Sequence, residues 1–99
     1  MFLDGVPYPA KLTLGALAEL ETALGDDSLF ALVARFEGGR YRGRDILALV
    51  MAGLRGGGWR GQAADLTTAT IADEQGEGPL AAARIAARLL ARAFALPAA

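Results

Sequence analysis

Near the N-terminus, residues 8–14 alternate between apolar and polar or proline positions with the period of a β-strand. Phe2 and Leu3 precede Asp4-Gly5, a dipeptide that favours a hairpin turn. A second short strand is predicted beyond the turn. Its alternating apolar positions are Tyr8, Ala10, Leu12 and Leu14. The prolines in this segment restrict the strand to the edge of a sheet.

From about Gly15 onwards the apolar positions follow the 3.6-residue period of a helix. The first helix ends at Gly25, and Asp26, Asp27 and Ser28 supply N-cap candidates for the second. The apolar positions of the second helix are Leu29, Leu32, Val33 and Phe36. Those of the third, which has Asp45 in its first turn, are Ile46, Leu47, Val50 and Leu54. The last helix begins at Pro79, with apolar positions at Leu80, Ala83, Ala87, Leu90 and Phe94.

The pattern therefore predicts a mainly α fold, with four to five short helices packed around one core and a minimal N-terminal β-hairpin. A chain of 99 residues has the length of a single domain, here residues 1–99. Residues 1–14 are expected to form the short hairpin and residues 15–96 the helical part. The segment 59–78 is the least regular. The pattern allows a short helix there, beginning near Asp65 with Leu66 and Ile71 turned inward. The threonines in this segment lower its helix propensity.

The predicted buried stripe of the first helix consists of Leu14, Leu17, Leu20 and Leu24, and Glu21 interrupts it. On a helical wheel of about 100° per residue, Glu21 falls about 40° from Leu17 and about 20° from Leu14. A carboxylate buried alone is costly, so Glu21 is expected at the rim of the core, in a structural ion pair with an arginine. The candidate partners are Arg35, Arg44 and the arginines of the last helix.

The last helix carries a basic ridge of Arg84, Arg88 and Arg92, which fall within about 80° of one another. The apolar arc opposite the ridge covers roughly 220°, which is wider than an ordinary amphipathic stripe. Such a helix is either covered on two sides within the domain or keeps one side for a partner. The ridge is either a solvated face or a contact with acidic groups of another segment or subunit. These three arginines are the candidate partner-contact residues.

The chain contains no cysteine and no histidine. Disulfides, thiol catalysis, thiolate or imidazole metal ligands and imidazole acid–base chemistry are thereby excluded. No catalytic, cofactor-binding or metal-binding residues are predicted. The first residues lack a basic region and a long apolar run, and no window reaches about 18 consecutive apolar residues, so neither a signal peptide nor a membrane span is expected.

The formal net charge of −1 conceals blocks of opposite sign. Residues 1–34 carry one lysine and five acidic residues, whereas residues 35–60 carry six arginines and two acidic residues. Residues 61–77 carry four acidic residues, and residues 78–99 carry three arginines. This alternation indicates attraction between segments or between copies of the chain.

Three further motifs allow a functional interpretation but favour a structural one. The glycine-rich run 53–61 lacks the lysine of a phosphate loop and follows a helix, so it is interpreted as a helix stop and connector. The segment 40–44 sets arginines around Tyr41, a combination that binds single-stranded nucleic acid, but the chain as a whole is slightly acidic. Asp73, Glu74 and Glu77 lack calcium-loop spacing and are interpreted as a solvated acidic loop.

The segment KLTLGALAELETALG, residues 11–25, resembles a family of small proteins encoded in the tail-gene cluster of bacterial gene transfer agents and related tailed phages. The match recurs in order along residues 3–58. Its other residues are Asp4-Gly5, Tyr8, Phe36, Arg44-Asp45 and Gly53-Leu54-Arg55-Gly56. The remainder matches in having a weak short helix and a final alanine-rich one.

The resemblance implies a non-enzymatic protein of tail morphogenesis, either a tail tube protein or a tail assembly chaperone. A chaperone would coat the tape measure protein and help recruit tube subunits in the bacterial cytoplasm. Because a tube subunit needs long strands, the chaperone is predicted first and a structural component retained in the virion tail second. A small nucleic-acid-binding module is the third, disfavoured prediction. The expected partners are other tail proteins and further copies of the chain, with no membrane.

Overall fold

The computed structural model describes residues 1–25 and 28–94, and within them lie five helices and four short strands. The strands are β1 (Phe2–Leu3), β2 (Val6–Pro7), β3 (Ile71–Asp73) and β4 (Gly76–Glu77). The helices are α1 (Leu14–Leu24), α2 (Leu29–Glu37), α3 (Gly43–Gly56), α4 (Ala63–Thr68) and α5 (Pro79–Ala93). The predicted mainly α fold with a minimal N-terminal hairpin is confirmed.

The four strands form one antiparallel sheet in the order β2-β1-β3-β4. The predicted turn joins β1 to β2, and its residues Asp4 and Gly5 have φ of 49° and 82°, as a type I′ hairpin turn requires. β1 also pairs with β3. Asp4 fixes this second pairing, since its N–H donates to Thr70 O and its Oδ1 accepts the Thr70 N–H, both at 2.9 Å. The N-terminal hairpin is thereby joined to a second hairpin from late in the chain.

Two elements differ from the prediction. The helix α4 ends at Thr68, and Ile71 lies in β3 instead of facing inward from a helix. The strand expected over residues 8–14 is not formed, because β2 ends at Pro7 and α1 already begins at Leu14. β-Branched residues favour the extended backbone of β3, but its partner β1 is distant in sequence, so local periodicity gives no sign of the pairing.

Local capping explains where the helices begin. Thr13 Oγ1 accepts the N–H of the third residue after it at 3.1 Å and starts α1, while Ser28 Oγ does the same for α2 at 3.0 Å. Pro79 is the first residue of α5. The predictions for Ser28 and Pro79 are confirmed, whereas the other cap candidates, Asp26 and Asp27, lie outside the described residues.

The core surrounds α3, which contacts α1, α4 and α5. One buried cluster comprises Ala16, Leu20, Leu32, Val33, Leu49, Ala52, Ala86 and Leu90. The other comprises Leu3, Val50, Leu54, Leu66, Ile85 and Leu89. α5 contributes to both clusters and also contacts β3 and β4, so its wide apolar arc is covered on two sides within the domain. Two of its predicted core positions are nevertheless exposed, Leu80 and Ala87.

α1 is rotated relative to the predicted leucine stripe. Its buried residues are Ala16 and Leu20, whereas Leu14 is 84% exposed. Two small residues allow α1 to approach α3 closely, since a Cβ added to Gly56 would lie 3.4 Å from the Ala16 Cβ. Glu21 lies about 140° round the helix from Ala16, outside this contact.

Candidate functional site

The basic ridge of α5 meets the acidic segment of the second hairpin. Arg84 donates to both carboxylate oxygens of Asp73 at 2.8 Å. Arg88 donates to Asp73 as well and contacts Glu74 at 2.7 Å. The Asp73 side chain is only 2% exposed, so two guanidinium groups neutralise one buried carboxylate. This Asp73 cluster, consisting of Asp73, Glu74, Arg84 and Arg88, holds the second hairpin on α5.

The Asp73 cluster changes the interpretation of the basic ridge and of the acidic segment that were identified in the sequence. The solvated-loop interpretation is wrong for Asp73, because its carboxylate turns inward to the arginines, while Glu77 is exposed as expected. Arg84 and Arg88 serve the intersegment contact. Arg92 is exposed, and within the described residues it has no hydrogen-bond or ion-pair partner. Arg92 is therefore the member of the ridge that takes no part in the Asp73 cluster.

A second buried carboxylate, Asp45, links α2 to α3. Arg35 donates to its two oxygens through Nε at 3.0 Å and Nη2 at 2.9 Å. The same carboxylate accepts the backbone N–H of Arg42 at 2.8 Å and so caps α3. Asp45 is 0% exposed. Its place in the first turn of the helix was predictable, but nothing in the sequence pattern indicated its partner.

Both buried carboxylates are held in the ionised state. Hydrogen bonds from Arg84 lower the pKa of Asp73 far below its ordinary 3.8, against the opposing effect of burial. Burial alone would raise the pKa of Asp45, but the hydrogen bonds from Arg35 and the Arg42 N–H outweigh it, and the pKa is again lowered. Asp73 in turn raises the pKa of Arg84. These groups are permanent charges near neutral pH, suited to structure.

Acid is expected to destabilise the fold through these two carboxylates. Because the folded-state pKa of Asp45 and of Asp73 lies below the ordinary value of 3.8, their contribution is fully present above that value and is lost as pH falls through the folded pKa. The urea concentration at the midpoint of unfolding should therefore stay constant between about pH 7 and 5, and it should decrease when the pH is lowered past about 4. Asp73→Asn is the comparison: its midpoint should be lower at neutral pH and decline less in acid. Equal acid declines in the two proteins would contradict the role given to Asp73.

The predicted ion pair of Glu21 is not formed among the described residues. Glu21 is exposed, and within the described residues it forms no hydrogen bond or ion pair with an arginine or lysine. The cause is the rotation of α1, which turns Glu21 away from the contact with α3. Glu19 approaches Arg55 instead, at 3.7 Å, with both side chains largely exposed, so this pair contributes little stability.

The arginine-rich segment 40–44 lies on the surface and runs from the connection after α2 into the first turn of α3. The Tyr41 ring stacks on Phe36 with ring centroids 4.6 Å apart and an angle of 13° between the planes. One face of the Tyr41 ring is therefore already used within the domain. The stack anchors the segment to α2 and leaves only the other face of the ring for a ligand, which a nucleic-acid site would need for stacking.

The glycine-rich run ends α3, as predicted, and it also allows a close backbone contact. Gly56 is the last residue of α3, and Gly57 is its C-cap. The Lys11 N–H donates to Gly53 O at 2.9 Å. A Cβ added to Gly56 would lie 2.0 Å from Lys11 O. The N-terminal segment thus crosses α3 at a place where only glycine fits.

Several exposed apolar features were not predicted from the sequence. Phe30 is 82% exposed, at the start of α2. The exposure of Phe30 could have been predicted, because this residue lies beside, and not within, the apolar stripe of α2. An open apolar groove with a volume of about 240 Å³ lies between α1, α3 and α4.

Within residues 1–25 and 28–94, no group of three or more acidic side chains is placed to hold a metal ion. None of the helices described there combines the length and apolar character needed to cross a bilayer.

The protein is thus a small helical domain whose two buried carboxylates, Asp45 and Asp73, are paired internally, while apolar and charged side chains are exposed at several places on its surface. The family model described as phage tail tube protein, GTA-gp10, matches residues 1–96. Because the match spans nearly the whole chain, the protein belongs to this family of phage tail proteins, which confirms the family identified from the sequence. The family is a structural class and not a class of enzymes. No curated protein and no solved structure shows significant similarity to the chain.

Proposed function

We propose that the protein is a structural component of the tail of a phage-like particle, built into the tail tube. The observation that carries this proposal is the match to the tail tube family over residues 1–96. The two internally neutralised carboxylates, Asp45 and Asp73, suit a stiff subunit. The exposed side chains Phe30 and Arg92 are suited to contacts with neighbouring tail proteins.

A second candidate function is that of a tail assembly chaperone. It is favoured by the shortness of the described strands, which have two or three residues each. A tube wall that continues as a β-barrel from subunit to subunit needs longer strands. A chaperone would bind the tape measure protein and tube subunits in the bacterial cytoplasm and leave before the particle is complete. Arg92 would then meet an acidic segment of the partner without disturbing the Asp73 cluster.

Purified particles separate the two functions. A tube component should be found in many copies per tail by quantitative mass spectrometry, and its absence from mature particles would overturn the tube proposal.

A chaperone should instead keep the co-expressed tape measure protein soluble. In that assay Arg92→Glu should reduce the soluble fraction, whereas Arg60→Glu, which changes another exposed arginine, should not. If both substitutions reduced the soluble fraction equally, Arg92 would not be the residue that contacts the tape measure protein.

A further inference from the structure

The outer face of α2 carries an apolar residue and an acidic residue two helical turns apart. Phe30, Ala34 and Glu37 are all exposed, and their spacing of four and three residues places them on one side of the helix. The opposite side packs into the core through Leu32 and Val33. Within the described residues Glu37 has no hydrogen-bond or ion-pair partner.

A complementary surface lies elsewhere on the molecule. The groove between α1, α3 and α4 has charged side chains in its lining, from Glu19, Arg44 and Arg55. Its apolar lining includes Leu20, Ala23, Leu47, Ala48, Met51 and Ala52. Its volume of about 240 Å³ exceeds the roughly 150 Å³ of an apolar cavity that accommodates benzene. Arg55 is 42% exposed and only loosely paired with Glu19 at 3.7 Å. The groove therefore offers space for one aromatic ring and a cation beside it.

The spacing of the two surfaces agrees. Phe30 and Glu37 are seven residues apart on α2, a rise of about 10.5 Å along the helix axis. Ala48 and Arg55, which both line the groove, are also seven residues apart on α3. A helix laid along α3 in the same direction would therefore bring a carboxylate to Arg55 when its phenylalanine enters the groove over Ala48.

We propose that this pair of surfaces joins copies of the chain head to tail. Phe30 of one copy inserts into the groove of the next, and Glu37 forms an ion pair with Arg55 of that next copy. The phenylalanine lies on α2, whereas the groove is lined by α1, α3 and α4, so each copy has one free surface of each kind after the contact forms. Such a heterologous contact generates rings or filaments. The inference rests on the proposed role as a structural tail component, since it supplies the self-association that such a component needs.

Sedimentation velocity of the purified full chain tests this contact. The wild type should form species larger than dimers as its concentration rises. Phe30→Glu and Ala23→Glu should each raise the apparent dissociation constant by roughly tenfold or more. Both sites are exposed, so the fold should persist, as circular dichroism would verify. Leu14→Glu is the matched control, an equally exposed apolar residue outside the groove, and it should assemble like the wild type.

Mixing the variants gives the decisive result. An equimolar mixture of Phe30→Glu and Ala23→Glu retains one intact phenylalanine and one intact groove, so it should form dimers and stop there. The double substitution Glu37→Arg with Arg55→Glu should restore the assembly that each single substitution weakens. A wild type that remains monomeric to about 1 mM, a wild type that stops at dimers, or a mixture that forms no dimers would overturn the proposal. Finding the protein in mature tails would still support the structural role, so the two failures are distinguishable.

Discussion

Asp45→Ala is expected to lower the free energy of unfolding by about 3–5 kcal/mol, the usual cost of breaking a buried ion pair. The substitution removes the carboxylate that Arg35 contacts at 2.9 and 3.0 Å. It also removes the acceptor that caps the first turn of α3 through the Arg42 N–H. Since domains of this size are stable by only about 5–15 kcal/mol, the loss should be visible as a large fall of the urea midpoint measured by circular dichroism.

Asp65→Ala is the matched control. Asp65 occupies the same capping position in α4, where it accepts the Gln62 N–H at 2.7 Å, but its side chain is exposed. Its removal should lower the free energy of unfolding by about 1 kcal/mol, as for an ordinary helix cap. Similar losses in the two variants would show that capping, and not the buried pair with Arg35, is what Asp45 contributes.

The sequence indicates the helices well because the signals that begin them are local. Ser28, Asp45 and Pro79 each act within one turn of their own helix. The apolar period then predicts the buried face of α2, but only part of the buried face of α3, where Leu49 is fully buried without having been predicted. The four-residue spacing of Arg84 and Arg88 likewise predicted a shared ridge. These features depend only on neighbours along the chain, so they could be predicted.

The acidic partner of that ridge could not be predicted, because it depends on pairing between distant segments. Asp73 follows threonines and precedes glycines, a composition typical of a solvated loop. Its burial depends on the tertiary arrangement, in which β3 pairs with β1 at the other end of the chain and contacts α5. The sheet then sets the Asp73 carboxylate against α5, where Arg84 and Arg88 neutralise it. The charge blocks indicated attraction between segments, but not which segments meet.

The prediction for Glu21 failed for a different reason, because the leucines of α1 were taken to define its buried face. A wheel built on leucines places Glu21 within the apolar face. The contact with α3 is instead made by Ala16 and Leu20, since an alanine facing Gly56 lets the two helices approach. A pattern that counts apolar volume alone undervalues such small residues, although close approach of backbones depends on them.

The closest of these backbone contacts leads to the second large expected effect. Gly56→Ala should destabilise the fold by about 3 kcal/mol, at the upper end of the usual cost of overpacking. The new methyl group would lie 2.0 Å from Lys11 O, and a backbone atom cannot rotate away as the end of a flexible side chain can. The N-terminal segment would have to lift off α3, which strains the hydrogen bond from the Lys11 N–H to Gly53 O. Urea denaturation measures the loss.

Gly43→Ala separates this steric effect from helix propensity. Gly43 lies in the first turn of the same helix, and a Cβ there would meet no atom within 4 Å. Alanine at this position should be neutral or stabilise the fold by up to about 1 kcal/mol, because it restricts the unfolded chain. If Gly56→Ala proved as mild as Gly43→Ala, the N-terminal segment would not rest on α3. The glycine-rich run would then be only a helix stop. A large difference between the two variants would show that the run also positions the N-terminal hairpin, and through it the whole sheet.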